Sequence, residues 1–175
     1  MKIEEATNLI SGVDGINKPN QYWADLGCGD GLFTVALASL LGENSLIHAV
    51  DTSQKSLAKI PDSANQVLIK KHKLDFVQRE LPFDRLDGVL MANSFHFVKD
   101  KLAFISKLQN HLTASHKLIF VEYDMDAPST WVPYPISYPK LPGFFKELNY
   151  RSIDKLHEIP SLYNRANIYS ALIKR

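Results

Sequence analysis

Cysteine is nearly absent from this sequence: Cys28 is the only one in 175 residues. That excludes an intramolecular disulfide framework and a cysteine-held iron–sulfur cluster, and it suits a reducing cytoplasm. Neither charge is in surplus, with 20 Lys and Arg against 19 Asp and Glu, so no broad basic field is on offer to a nucleic-acid backbone. The longest apolar run, LFTVALASLL at residues 32–41, is far below the length that spans a bilayer. The opening MKIEEATNLI carries acids and lacks the apolar core of a signal peptide. The expectation is therefore a cytoplasmic protein with no membrane and no nucleic-acid partner. No cluster of His, Cys and carboxylates has metal-ligand spacing, so no metal is expected either.

What is present is an ordinary globular composition, 45% hydrophobic and 22% charged, in a length that fills one core and is too short for two ordinary domains. A single domain over 1–175 is expected. Strand and helix patterns take turns along it. Tyr22–Leu26, Leu46–Val50, Val67–Lys70, Leu86–Met91 and Lys117–Tyr123 read as strands. Leu32–Leu41 reads as a buried helix, Thr52 or Ser53 as the start of another, and Asp100–Leu112 as a third with apolar residues at helical spacing. Near-continuous apolar strands separated by helices indicate a parallel sheet covered on both faces. The end differs. After a helix near GFFKELNY come two strand-like runs, Tyr150–Ile159 and Asn167–Lys174, joined by the turn-like PSLYNR. So short a connection demands antiparallel pairing. The fold class is thus α/β, a Rossmann-like doubly wound sheet of seven strands, mostly parallel, with an antiparallel C-terminal pair.

The stretch QYWADLGCGDGLF, residues 21–33, sets Asp25 and Asp30 about a turn of three glycines directly after the first strand. In an open parallel sheet the ligand sits beyond the carboxyl ends of the strands, where strand order reverses. Gly27, Gly29 and Gly31 let the backbone turn sharply and let a ligand touch it. A dinucleotide site would read G-x-G-x-x-G with a pyrophosphate on the helix N-terminus. Here the spacing is G-x-G-x-G, Leu32 stands at the third glycine position, and Asp30 would repel a pyrophosphate. The ligand should instead carry positive charge. Asp51, at the end of the second strand, is placed to accept hydrogen bonds from ribose hydroxyls, although it could also cap the next helix. A cationic nucleoside without phosphate describes S-adenosylmethionine.

On these residues the chain resembles the class I S-adenosylmethionine-dependent methyltransferases, in particular their small-molecule, type 11-like branch. DLGCGDG is similar to that family's first motif, against the methionine part of the cofactor, and VDTSQKSL, LDF ahead of ELPF, and LDGVLMANSFHFVKD are similar to the second, third and fourth. The resemblance implies that Asp25 helps hold the α-amino group, with Gly27, Cys28 and Gly29 along the cofactor. It implies that Asp51 binds the ribose hydroxyls with Thr52 also at the cofactor, that Asp75 meets the adenine amino group with the Phe76 backbone near the ring, and that Asn93, Ser94 and Phe95 face the sulfonium. Cys28 reads as a small packing residue of the loop rather than a nucleophile. His96, between Phe95 and Phe97, reads as a half-buried packing or cofactor-contact residue or as a general base.

The resemblance implies in-line transfer of methyl from sulfur, with no metal. The acceptor class follows from what is missing. There is no N-P-P-aromatic turn after the fourth strand, as nucleic-acid amino methylation typically uses, no cysteine nucleophile for cytosine C5, and no paired-glutamate loop of the arginine-methylating kind. A small-molecule acceptor is expected. A cofactor-binding module without its own catalysis and a nucleotide-dependent oxidoreductase remain as alternatives. Residues 1–20 make only a short N-terminal helical cap, where family members often carry a longer one. The segment STWVPYPISYP, residues 129–139, has three prolines and three aromatics and can be neither helix interior nor central strand. We expect residues 127–140 to form a loop over the site, either an inert strap or a wall of the acceptor pocket. Tyr123, Trp131 and Tyr134 are the candidate acceptor-binding residues.

Overall fold

The computed structural model describes residues 1–161 and 166–175. Among these, helix α1 (Ile3–Leu9) precedes strand β1 (Tyr22–Leu26), helix α2 (Leu32–Leu40), β2 (Leu46–Asp51), the one-turn α3 (Gln54–Leu57), β3 (Ser63–Ala64) and β4 (Val67–Lys73). Then come β5 (Leu86–Ala92), α4 (Lys101–Leu108), β6 (Leu112–Tyr123), α5 (Leu141–Glu147), β7 (Ser152–Pro160) and β8 (Asn167–Lys174). The sheet order is β3-β4-β2-β1-β5-β6-β8-β7. Strands β4, β2, β1, β5 and β6 run parallel, and β8 and β7 close that side antiparallel. This is the doubly wound α/β sheet with a reversed C-terminal pair that the sequence implied. Part of the PSLYNR turn lies outside the described residues.

The sheet has eight strands rather than seven. The addition is the two-residue β3, which pairs antiparallel with the start of β4 and leaves no hydrophobic pattern long enough to read in sequence. Other boundaries move for local reasons. The expected helix over 100–112 is α4, begun by the Asp100 side chain accepting from the Ala103 N–H at 3.0 Å, followed by a 3₁₀ turn at Gln109–His111. Strand β6 starts five residues before the expected Lys117, because Leu112 already pairs with Leu86 of β5. Strand β7 starts at Ser152 because Tyr150 is buried against Phe145 and His116.

Two apolar layers hold the sheet. Trp23, Leu37, Ile47, Leu90 and Ile119 pack with α1 and α2 on one face. Leu26, Val50, Met91, Phe120 and Phe145 pack with α4 and α5 on the other. Residues that alternate along β1 and β5 thus bury both of their faces, which explains the continuous apolar runs. The chain leaves β1 for β2 and β4, then returns across β1 to β5. The reversal of strand order therefore falls between β1 and β5, and their carboxyl ends, Leu26 and Ala92, frame the site.

Candidate functional site

Beyond those two strand ends opens a cleft of about 440 Å³. Its floor is a close approach of two turns. Gly27 has φ +81°, and a Cβ there would stand 2.5 Å from Ser94 Cβ. Only glycine lets the turn after β1 and the turn after β5 meet so closely. The Ser94 hydroxyl donates to the Leu26 carbonyl at 2.5 Å and ties the two ends together. Both Gly27 and Cys28 N–H groups donate to the Val50 carbonyl, at 2.8 and 3.0 Å. Gly29, at φ +52°, has nothing within 4 Å of where a Cβ would be. Packing does not claim that space, and it is free for a ligand.

Of the residues anticipated for a cofactor, Gly27, Asp51, Thr52, Asp75, Phe76, Asn93 and Ser94 line this cleft together. Asp51, at the carboxyl end of β2, accepts the Gly29 N–H at 2.9 Å and the Ser53 N–H at 2.8 Å. Capping of α3 itself falls to Ser53, whose side chain accepts from Ser56 N–H. Asp75 accepts the Val77 and Gln78 N–H groups through Oδ1, at 3.0 and 3.2 Å, which shapes the turn after β4.

Asp25 lies just behind the turn, fully buried. Its Oδ2 accepts from the Thr34 hydroxyl at 2.6 Å, while Oδ1 is buried without a hydrogen-bond partner. Burial pushes its pKa up to about 7, against the opposing effect of the Thr34 hydrogen bond and with a further upward contribution from the charge of Asp51. Asn93 Oδ1, at a residue in the left-handed region with φ 52°, is the other buried side-chain atom left without a partner among the described residues. Two sealed acceptors lacking donors are costly to keep. Both are suited to a ligand rich in N–H donors, above all an ammonium.

Asp30 turns out differently from its partner across the turn. It is solvent-exposed and paired with Lys59 at 2.6 Å, which holds its carboxyl below the usual range through the side-chain hydrogen bond. Asp30 is not among the cleft's lining residues, and the carboxylates that line it are Asp51 and Asp75. Cys28 is buried in the core, and burial pushes its thiol well above the ordinary value, as suits a packing residue.

His96 is more deeply buried than half. It sits in a 3₁₀ turn, Phe95–Phe97, with its Nδ1 2.6 Å from Glu122 Oε2. Tyr123 ends β6 with its ring 6.2 Å from that of His96. The Pro-rich segment is pinned against this turn: Tyr134 N–H donates to the His96 carbonyl at 3.0 Å, and Lys101 Nζ donates to the Tyr134 carbonyl at 2.6 Å. Tyr169 holds it from the other side by donating its hydroxyl proton to the Ile136 carbonyl at 2.8 Å. Trp131 is 83% exposed. Tyr123, Trp131 and Tyr134 are not among the cleft's lining residues, nor is any residue of α1, which packs against α2 and β7.

Three lining residues escaped the sequence reading: Val77, Gln78 and Phe97. Phe97 had a signal, a second aromatic just past the fourth strand, but Val77 and Gln78 had none. Glu122 was missed as well, though an acid closing the apolar run LIFVEY is itself an oddity. Among the described residues no group of three or more His, Cys, Asp or Glu stands together as metal ligands would, and no helix is long and apolar enough to cross a membrane.

The family model for a methyltransferase domain matches residues 24–115, from within β1 to the start of β6. No curated protein sequence gives a significant match. Solved structures similar to this chain include a Burkholderia thailandensis 1,6-didemethyltoxoflavin-N1-methyltransferase with bound 1,6-didemethyltoxoflavin and S-adenosylhomocysteine, at 14% identity and TM-score 0.74 over 99% of this chain and 77% of that one. An S-adenosylmethionine-dependent methyltransferase from Mesorhizobium loti aligns at 15% identity and TM-score 0.68 over 99% of this chain and 100% of its own. Haemonchus contortus phosphoethanolamine N-methyltransferase 2, in complex with S-adenosyl-L-methionine, aligns at 13% identity and TM-score 0.74 over 98% of this chain, which spans 52% of that longer protein. With a model that covers more than half of its length, this chain belongs to the methyltransferase domain family, on the class I fold.

Proposed function

We propose that the protein is an S-adenosylmethionine-dependent methyltransferase that transfers methyl to a small-molecule acceptor by in-line displacement. The observation that carries this is the pair of sealed acceptors, Asp25 Oδ1 and Asn93 Oδ1, at the turns that frame a cleft also lined by Asp51 and Asp75. Asp25 and Asn93 would take the α-ammonium. Asp51, whose oxygens keep lone pairs beyond the two backbone bonds, would accept the ribose hydroxyls. Asp75 would take the adenine amino group through Oδ2, with Phe76 against the ring. Ser94 would lie near the sulfonium, with the Cys28–Gly29 backbone along the methionine chain.

A sulfonium brings an already electrophilic methyl group, so the chain's own contribution is to align an acceptor lone pair behind that carbon and keep water out. The small acceptors named for the Burkholderia and Haemonchus enzymes support a small-molecule acceptor here. Tyr123 and Tyr134, which neighbour His96, and Trp131 on the same Pro-rich segment as Tyr134 are the candidates to contact it. Calorimetry with S-adenosylmethionine and S-adenosylhomocysteine against NAD(H), followed by a metabolite screen for methyl transfer, tests the reading. Preference for NAD(H) would make it an oxidoreductase. Tight S-adenosylmethionine binding without turnover would make it a binding module for a partner enzyme.

A further inference from the structure

We infer that Glu122 and His96 form a dyad in which Glu122 holds the His96 ring so that its bare Nε2 takes the proton of a neutral hydroxyl or phenol acceptor; this rests on the methyltransferase reading above.

Glu122 is 1% exposed at the end of an apolar strand, and a lone carboxylate there would cost several kcal/mol unless its oxygens were met. They are met by one turn. Oε1 accepts the Phe95 N–H at 2.8 Å and the His96 N–H at 3.3 Å, and Oε2 lies 2.6 Å from His96 Nδ1. An ionised carboxylate only accepts, so Nδ1 carries the proton and, in the neutral ring, Nε2 carries the lone pair.

Nε2 has no partner among the described residues. Among the described residues the sealed side-chain polar atoms without partners are Asp25 Oδ1 and Asn93 Oδ1 and do not include Nε2, which keeps a sliver of accessible surface on a ring only 3% exposed. The His96 ring centroid lies 4.4 Å from that of Phe97, which lines the cleft, and 6.2 Å from that of Tyr123. His116 shows how a packing histidine differs in this same protein. Its Nδ1 meets the Thr113 carbonyl at 2.6 Å and its Nε2 the Tyr150 hydroxyl at 2.8 Å, so both nitrogens are engaged. His96 keeps one free at the sheet edge where ligands bind.

The step balances. As the acceptor oxygen's lone pair forms the new bond to the methyl carbon, its O–H proton passes to Nε2, and the electron pair of the broken carbon–sulfur bond stays on sulfur as a neutral thioether. Glu122 holds the resulting imidazolium until the proton passes to water. Glu122 is thus a positioning residue and His96 the catalytic one.

The test uses Glu122→Gln, because the amide oxygen still accepts the Phe95 and His96 N–H groups while the NH₂ must donate to Nδ1 and so moves the ring proton to Nε2. Diethyl pyrocarbonate, which attacks bare accessible imidazole nitrogens, should carbethoxylate His96 in the wild type, with at least tenfold protection by S-adenosylhomocysteine, and should spare His96 in the variant. With a panel of phenols and ring-substituted thiophenols as acceptors, the variant should lose about 100-fold in kcat on the phenols at unchanged S-adenosylmethionine affinity. On thiophenols already ionised at the assay pH, which need no base, it should lose less than threefold. Labelling of His96 that ignores S-adenosylhomocysteine or Glu122→Gln overturns the dyad, as does a variant that methylates phenols at the wild-type rate. Absence of S-adenosylmethionine binding by the wild type would instead overturn the proposed function itself.

Discussion

The two edges of the parallel sheet treat buried polar groups in opposite ways. At the amino edge everything is closed: Gln21 donates to the carbonyls of Ile16 at 2.6 Å and Lys18 at 2.8 Å and accepts the Trp23 indole N–H at 3.2 Å, while His116 uses both ring nitrogens. At the carboxyl edge Asp25 Oδ1 and Asn93 Oδ1 lack donors, and His96 Nε2 is free among the described residues. One edge uses polar side chains to hold the fold. The other keeps them in reserve, at a cost to the fold that a bound ligand would offset.

Removing the charge of Asp25 should have the largest effect. Its carboxyl, held up to about 7, binds its proton more tightly in the folded state than in the unfolded one. Stability from this group is thus full below about 4 and falls as pH rises through about 7, a loss on the order of 4 kcal/mol. Asp25→Asn should raise the melting temperature of the ligand-free protein above pH 7 and flatten its fall between pH 5 and 8. The same variant should bind S-adenosylmethionine about tenfold more weakly. In the wild type the thermal shift from S-adenosylmethionine should grow from pH 6 to pH 8, and a shift independent of pH would remove Asp25 from the ammonium site.

Gln21→Ala probes the closed edge. It strands buried carbonyls and the Trp23 N–H, so it should cost about 2–3 kcal/mol in denaturant unfolding. S-adenosylmethionine affinity of the folded fraction should not change. If it does, the two edges are not independent.

Asp51→Ala should do the reverse, weakening S-adenosylmethionine by about 1.5–3 kcal/mol in calorimetry through lost charged acceptors, with a smaller loss for Asp75→Ala. A larger loss at Asp75 would invert the ranking of ribose and adenine contacts. The smallest effect on stability belongs to Trp131→Ala. At 83% exposed, its removal should shift unfolding by no more than about 0.5 kcal/mol. If the ring closes on the acceptor, KM for that acceptor rises while S-adenosylmethionine affinity holds; unchanged acceptor kinetics would end its role in the pocket.

Much of this was legible before any coordinates. Tyr22–Leu26 is a strand in the structure as in the sequence, because a short run that is apolar except for Asp25, buried from Trp23 to Leu26 and stopped by Gly27, carries its own signal. Gly27 and the acids at 51 and 75 could be expected along one cleft because each stands at a strand end or in the turn after it, a local relation that the sequence carries. Two-residue β3 was invisible, since its pairing depends on the chain doubling back at Asn65 and Gln66, both in the left-handed region at φ 48° and 64°. The pairing of Asp30 with Lys59, 29 residues away, left no sign in the sequence.

The sequence by itself determined the class of fold and the turns that frame the cleft, because hydrophobic period and turn chemistry are short-range properties that each segment carries alone. Only the tertiary structure decided which polar groups are met and which are left open. Thr34 reaches Asp25 from a neighbouring helix, and Glu122 reaches His96 from a strand 26 residues on. Whether a buried carboxylate or imidazole is partnered depends on what the fold brings within hydrogen-bond distance, and no pattern along the chain encodes that distance.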